Sequence, residues 1–236
     1  MLDYFDKFTI PSGLKVLVLA PHPDDFDAIA VTLKKFHDNG NILKLVVVSE
    51  ASSGVQDNFA QNHPDMTKAQ IRENEQLSSC SFFGLPEENV SFLRLSEDKN
   101  GDPVESEENM AVLREILFKI APDIVFMPHW NDTNPGHKRT YSMFKKMVYS
   151  CTVYLNRDAK TIGMQNDIYT AFNDDAAEWK AKLLRFHRSQ QERNLNTRGY
   201  GFDERVLRIN QQTAEENNCF SPYAEVFEIE KLNFKE

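Results

Sequence analysis

Cysteine is scarce in this 236-residue chain: Cys80, Cys151 and Cys219 are odd in number, far apart and without a CxxC pair. A disulfide framework is therefore not expected, and reduced thiols in a cytoplasmic protein are. No stretch approaches the roughly 18 to 20 apolar residues that a membrane span needs. The opening MLDYFDKFTIPSGLK lacks a basic segment followed by a long apolar run, so no secretory leader is expected. Positive charge is in deficit: 27 Lys and Arg against 36 Asp and Glu leave a formal net charge of −9. That balance argues against non-specific nucleic-acid binding, which wants clustered basic residues. There is no GxGxxG or GxxxxGK(S/T) phosphate cradle, and Ser52 and Ser53 do not sit in a GxSxG elbow. Repeats, low-complexity tracts and Pro/Gly/Ser-rich linkers are absent as well, so residues 1–236 are expected to form a single domain.

Apolar runs and helical spacings alternate through the first two thirds. LKVLVLA (14–20), ILKLVVVS (42–49), NVSFLRL (89–95) and DIVFMP (123–128) have the length and continuity of buried strands. Phe26, Ile29, Leu33 and Phe36 predict a helix stopped near Gly40, and a second is expected from about Thr67 to Phe83, closed by Gly84. Met110, Leu113, Leu117 and Ile120 mark a third, ended by Pro122; a fourth is expected to begin near His137. Strands separated by such helices pair in parallel with right-handed crossovers. The predicted class is α/β, a Rossmann-like three-layer sandwich with a mainly parallel sheet. In the last third, 166–173 and 223–232 read as strands, 174–190 as a helix capped by Asp174 or Asp175, and about 203–217 as another helix. The polar stretch 188–205 reads as a loop placed to reach substrate through Arg193, Arg198 or Tyr200.

Ligands of such sheets bind outside the carboxyl ends of the strands. Two polar segments should lie there, because PHPDD and PHWNDTNPGH each follow an apolar strand directly. His22, Asp24, Asp25 and Asp27 fall within six positions, and three explanations compete for them. Helix capping accounts for one or two acids but not for the adjacent histidine. A phosphate cradle would want glycines and positive charge. A metal site fits better: imidazole and carboxylate three residues apart can converge on one ion, with the intervening acid beside its water as a general base. The second segment adds His129, Asp132 and His137 at another strand end.

APHPDD after a strand resembles the AHPDD signature of the N-acetylglucosaminyl-phosphatidylinositol and LmbE-like deacetylases. Further marks follow in that family's order. IRENEQLSSCSFFGL is similar to its RxxE helix, PHWNDTNPGH to the segment ending in HPDH, KLLRFHRSQ to its HxSQ helix and YAEVF to its terminal strand. The resemblance implies a zinc-dependent hydrolase removing an N-acetyl group from a small amino sugar or N-acetylglucosamine conjugate. It implies His22, Asp25 and His137 as metal ligands, Asp24 as the general base for a metal-activated water, and Arg72 as a substrate-binding residue. Ferrous iron would suit the same ligand set.

The chain departs from the pattern in places. Phe26 directly follows the two aspartates, with an acid, Asp27, one position later as a supporting residue. Asn134 replaces the histidine that helps stabilise the oxyanion, leaving Asn134 or His129 for that task, with Asp132 orienting a neighbour. The expected partner is a small amino-sugar molecule rather than nucleic acid or membrane, with a homo-oligomer left open. Two other functions stay in play: a metal phosphoesterase, and a non-catalytic sugar- or nucleotide-binding relative.

Overall fold

On the strand Lys15–Ala20, side chains alternate between two hydrophobic cores. Val16, Val18 and Ala20 pack with Leu33, Phe36, Phe83 and Leu183, whereas Leu17 and Leu19 pack with Leu113, Met143 and Phe144. Both faces are buried, which is why the segment is continuously apolar in sequence rather than alternating. The structure, a computed structural model, describes residues 3–7 and 9–233. Among these, eight strands form one sheet: β1 (Asp3–Tyr4), β2 (Lys15–Ala20), β3 (Ile42–Val47), β4 (Val90–Phe92), β5 (Ile124–Pro128), β6 (Thr152–Asn156), β7 (Ile168–Phe172) and β8 (Tyr223–Lys231). Their spatial order is β1-β7-β8-β6-β5-β2-β3-β4, and only β8 runs antiparallel to its neighbours.

The helices are α1 (Asp25–Ala28), α2 (Ala30–Asp38), α3 (Asp57–Gln61), α4 (Lys68–Phe83), α5 (Glu107–Ile120), α6 (Pro135–Lys145), α7 (Asp174–Leu184), α8 (Arg188–Arg198) and α9 (Phe202–Glu216). Side chains from α2, α4 and α7 fill one core, and those from α5 and α6 the other. The expected α/β sandwich with a mainly parallel sheet is the observed fold. Its consequence for function lies at β2. That strand pairs in parallel with β3 on one side and β5 on the other, so chain order reverses between β2 and β5. The loops leaving their carboxyl ends diverge and open a crevice there.

Several elements differ from the sequence expectation. The helix after β2 breaks at Ile29 into α1 and α2, although Phe26, Ile29, Leu33 and Phe36 are all buried as its spacing predicts. β4 ends at Phe92, well short of residue 95, and Arg94 takes a positive φ of 48°. α6 begins at Pro135, two residues before His137, because the Asn134 side chain caps it by accepting from the Gly136 N–H. Asn173, not Asp174 or Asp175, caps α7. The predicted 174–190 helix is two helices joined by a bend at 185–187, and most of the expected loop 188–205 is helical. β6 was not anticipated. No helix among the described residues is long and apolar enough to cross a membrane, and Cys80, Cys151 and Cys219 are free.

Candidate active site

The β2 and β5 loops meet over the crevice. From the first come His22, Asp24 and Asp25; from the second come Asp132, Asn134 and His137. Nitrogen or oxygen atoms of His22, Asp25 and His137 all lie within 4.8 Å of one another. The two imidazole centroids are 5.2 Å apart, and Asp25 lies 3.4 Å from each ring through different carboxylate oxygens. Asp25 also accepts from the His22 backbone N–H at 2.8 Å, fixing the turn between them. Burial opposes ionisation of Asp25, but the neighbouring His137 and His22 outweigh it and hold the carboxyl well below the usual range. Burial likewise works against a charge on His137, yet Asp25 and Asp132 raise its pKa well above that of a free imidazole. Two nitrogens and a carboxylate drawn this close form a donor set that takes Zn²⁺ or Fe²⁺.

Asp132 supports this cluster from beneath. It is fully buried; Oδ2 lies 3.1 Å from His137 Nδ1, and Oδ1 accepts from the Asn134 N–H at 2.6 Å. A proton held on Nδ1 by that carboxylate makes Nε2, which points at Asp25, the atom that would bind an ion once the ion displaces its proton. Asp158, from the loop after β6, completes a second close group with Asp132 and His137. Gly136 makes the approach of the loops possible. A Cβ there would stand 2.7 Å from His22 Nε2, so any other residue would displace the imidazole.

Asp24 answers the question of capping. It occupies the position before α1, yet its side chain accepts no helix N–H. Its carboxylate instead receives Arg72 Nη2 at 2.8 Å on Oδ2, and Oδ1 has no partner among the described residues. The backbone is at φ 118°, costly for a residue with a Cβ, and is restrained by Gln76 Oε1 on the Asp24 N–H at 2.9 Å. Arg72 is 2% exposed and also bonds the Pro23 carbonyl, while Nη1 stands 3.6 Å from Glu75. The structure thus makes Arg72 a clamp on the Asp24 turn. Its Nε and Nη1 have no hydrogen-bond partner among the described residues, and the residue still lines the cavity.

The remaining expected residues divide. Asn134 lines the cavity; its Oδ1 is used as the α6 cap, which leaves its N–H₂ donors for other partners. His129 is not brought there. It is 1% exposed, its Nδ1 accepts from the Asn131 N–H and its Nε2 meets Glu228 at 3.2 Å, so both ring nitrogens are engaged away from the crevice. Burial also lowers its pKa, against the pull of Glu228. Phe26 packs edge-on against Phe83 in the core. Asp27 is fully buried and takes hydrogen bonds from Gln76 and Ser79, with His187 Nε2 on the same oxygen.

Sequence reasoning missed how the later motif fastens to the earlier ones. His187 contacts Asp27; the Ser189 N–H and hydroxyl donate to Glu75 at 2.6 and 2.7 Å; Gln190 donates to the Gly54 carbonyl at 3.0 Å. The HRSQ run therefore ties the head of α8 to α1, α4 and the loop after β3. Gln76 was also missed, although it stands one helical turn beyond Arg72, on the same face. The cavity they enclose measures about 440 Å³ and is lined by His22, Asp24, Asp25, Asn134 and His137 together with residues of α8 and α9. That size suits a small ligand.

Residues 17–148, more than half of the chain, match the family model described as PIG-L: GlcNAc-PI de-N-acetylase. No curated protein sequence matches significantly. Among solved structures, the N,N'-diacetylchitobiose deacetylase of Pyrococcus horikoshii superposes with a TM-score of 0.69 at 23% identity, covering 91% of this chain and 83% of that one. GalB, the 4-carboxy-2-hydroxymuconate hydratase of Pseudomonas putida KT2440, gives 0.68 at 15% identity, covering 94% and 98%. A zinc-inhibited form of the teicoplanin deacetylase Orf2 gives 0.63 at 14%, covering 92% and 99%. These likenesses establish the fold, and since a hydratase shares it, the fold alone does not fix the reaction. The family model and the converging HPDD and NPGH loops identify the chain as a member of the GlcNAc-PI de-N-acetylase, or LmbE-like, family.

Proposed function

We propose that this protein is a metal-dependent N-deacetylase that hydrolyses the acetamide of a small amino sugar or N-acetylglucosamine conjugate in the cytoplasm. The observation that carries this reading is the convergence of His22, Asp25 and His137 beside the strained Asp24 turn, at the edge of a cavity of about 440 Å³. His22, Asp25 and His137 would hold the ion, Zn²⁺ or Fe²⁺. When bound, such an ion acts as a Lewis acid on the acyl oxygen and makes hydroxide available near neutral pH.

The chain's own residues supply the rest. Asp24, with Oδ2 pinned by Arg72 and Oδ1 unpartnered, takes the proton of the attacking water and returns it to the leaving amine. The Asn134 amide donates to the developing oxyanion, an interaction worth about 3–4 kcal/mol in comparable sites. Asp132 holds His137 in the required tautomer. Arg72 keeps Asp24 in place and, as a residue of the cavity wall, puts positive charge on the side that the sugar meets. Products are acetate and a free amine. The test is acetate release from N-acetylglucosamine glycosides by purified protein, by chelator-treated protein, and after Zn²⁺ or Fe²⁺ is restored. Turnover that disappears with the metal and returns with it is expected; metal-independent turnover, or phosphate release from a phosphomonoester without acetate release from these glycosides, would end the reading.

A further inference from the structure

α8 carries almost no apolar residue, RSQQERNLNTR, so no hydrophobic stripe holds it to the fold. Yet Gln190, Arg193, Asn194, Thr197 and Arg198 recur at i, i+3, i+4, i+7 and i+8, one face of the helix, and all five line the cavity. From α9, Phe202, Arg205 and Val206 add a second stripe at i, i+3 and i+4. The helix therefore presents to empty space the face that a helix ordinarily gives to a core.

Gln190 and Thr197 on that face are bonded to the Gly54 and Arg193 carbonyls, but the others keep groups in reserve. Asn194 is 4% exposed, its N–H₂ donates to the Gln190 carbonyl, and its Oδ1 is buried without a partner. Arg193, Arg198 and Arg205 have no carboxylate within ion-pair distance among the described residues. Of the other arginines, Arg72, Arg94, Arg139, Arg157, Arg185 and Arg208 find one, and Arg114 and Arg188 do not, but those two stand apart from the cavity, whereas Arg193, Arg198 and Arg205 line it. Lys160 joins them from the loop after β6. Four carboxylates line the same cavity, but Asp24 is paired with Arg72 and Asp25 with His137. Asp102 and Asp158, neither in an ion pair among the described residues, are left to set against three guanidinium groups and an ammonium. In a chain of net charge −9, such a local excess needs a reason. The guanidinium fork matches the paired oxygens of carboxylate and phosphate.

We propose that Arg193, Arg198 and Arg205 form an anion-recognition subsite, and that the substrate carries a carboxylate or phosphate on the part of the molecule held against α8 and α9. This rests on the deacetylase reading for what happens at the other end of the cavity. It lies outside residues 17–148, so the family match does not carry it.

The experiment compares metal-loaded enzyme on three N-acetylglucosamine derivatives: the neutral methyl glycoside, the 1-phosphate, and a glycoside ending in a carboxylate. An anionic substrate should exceed the neutral one in kcat/KM by about tenfold, less at high salt because the arginines meet solvent. In Arg193→Gln, Arg198→Gln and Arg205→Gln that preference should shrink through a rise in KM for the anionic substrate. The phosphate and carboxylate arms decide which anion is read. Equal use of neutral and anionic substrates by the wild type, or a loss that falls equally on both in the variants, overturns the subsite. Absence of all hydrolysis counts against the deacetylase reading instead. Calorimetric titration with glucosamine 1-phosphate and methyl glucosaminide then decides the subsite alone: arginine-dependent preference for the phosphate sustains it, and equal binding removes it.

Discussion

Two clusters of buried charge sit at opposite ends of α1, and they are wired differently. At its end, Lys180 donates all three of its protons, to the Ala28 carbonyl, Asn210 and Glu225 at 2.6, 2.9 and 2.7 Å. Glu225 in turn accepts the Val31 and Thr32 N–H groups and the Thr32 hydroxyl, so the start of α2 is capped by a strand residue. Burial pulls the Lys180 pKa down while Glu225 opposes it. Every valence is filled and none of the pair lines the cavity. At the start of α1 the same kinds of residue are left incomplete. Asp24 is strained and half free, Arg72 keeps two unbonded nitrogens, and His22, Asp25 and His137 crowd around a common point. Saturated charge holds the fold, whereas unsaturated charge beside a cavity is available for chemistry.

The contrast can be broken by substitution. Asp24→Asn should cut kcat by about 10²–10⁴ with little change in melting temperature, as expected for loss of a proton-transfer group; unchanged turnover would move the base elsewhere. Lys180→Met should do the reverse, lowering unfolding free energy in urea by about 3–5 kcal/mol by stranding Glu225. Combining it with Glu225→Gln, which removes the stranded charge but keeps only one of the two acceptor oxygens that Val31 and Thr32 use, should recover part of that loss. Asp132→Asn is intermediate. It leaves the ligands present but releases His137, and metal affinity by competition with a chelator should fall about 10–100-fold. The smallest effect concerns the thiols. Burial pushes Cys80 far up, with Asp27 adding to the shift, and Cys151 up to about 11, so both should resist alkylation at pH 8 in the native state. Reaction of either ahead of unfolding would mean that its core opens locally.

Much of this was legible in the chain itself. The apolar runs of β2, β3 and β5 announced a parallel sheet, and two polar segments placed straight after strands put His22, Asp25 and His137 near one another. What stayed hidden depends on partners distant in sequence. β6 carries Tyr154 and a short alternating run, and owes its place to pairing with β5 and β8. Helix α8 lacks an apolar face, so periodicity offered nothing to detect; it is held by Glu75, Asp27 and Gly54, far back in the chain. His129 looked like a site residue because it follows β5, yet strand ends alternate in direction, and Glu228 on β8 claimed its ring. Spacing reports the face a residue occupies, not the neighbour that will reach it first.

The three-point attachment of α8 has a practical corollary. The residues that tie it to α1, α4 and the loop after β3 lie at 187–190, with Gln191 and Asn196 adding bonds to Phe202 and Gln56, whereas 193, 194, 197 and 198 line the cavity. Recognition can therefore be rewritten on one short stretch without touching the groups that move protons. A library randomised at those four sites would be a direct route to enzymes of altered selectivity on an unaltered reaction centre.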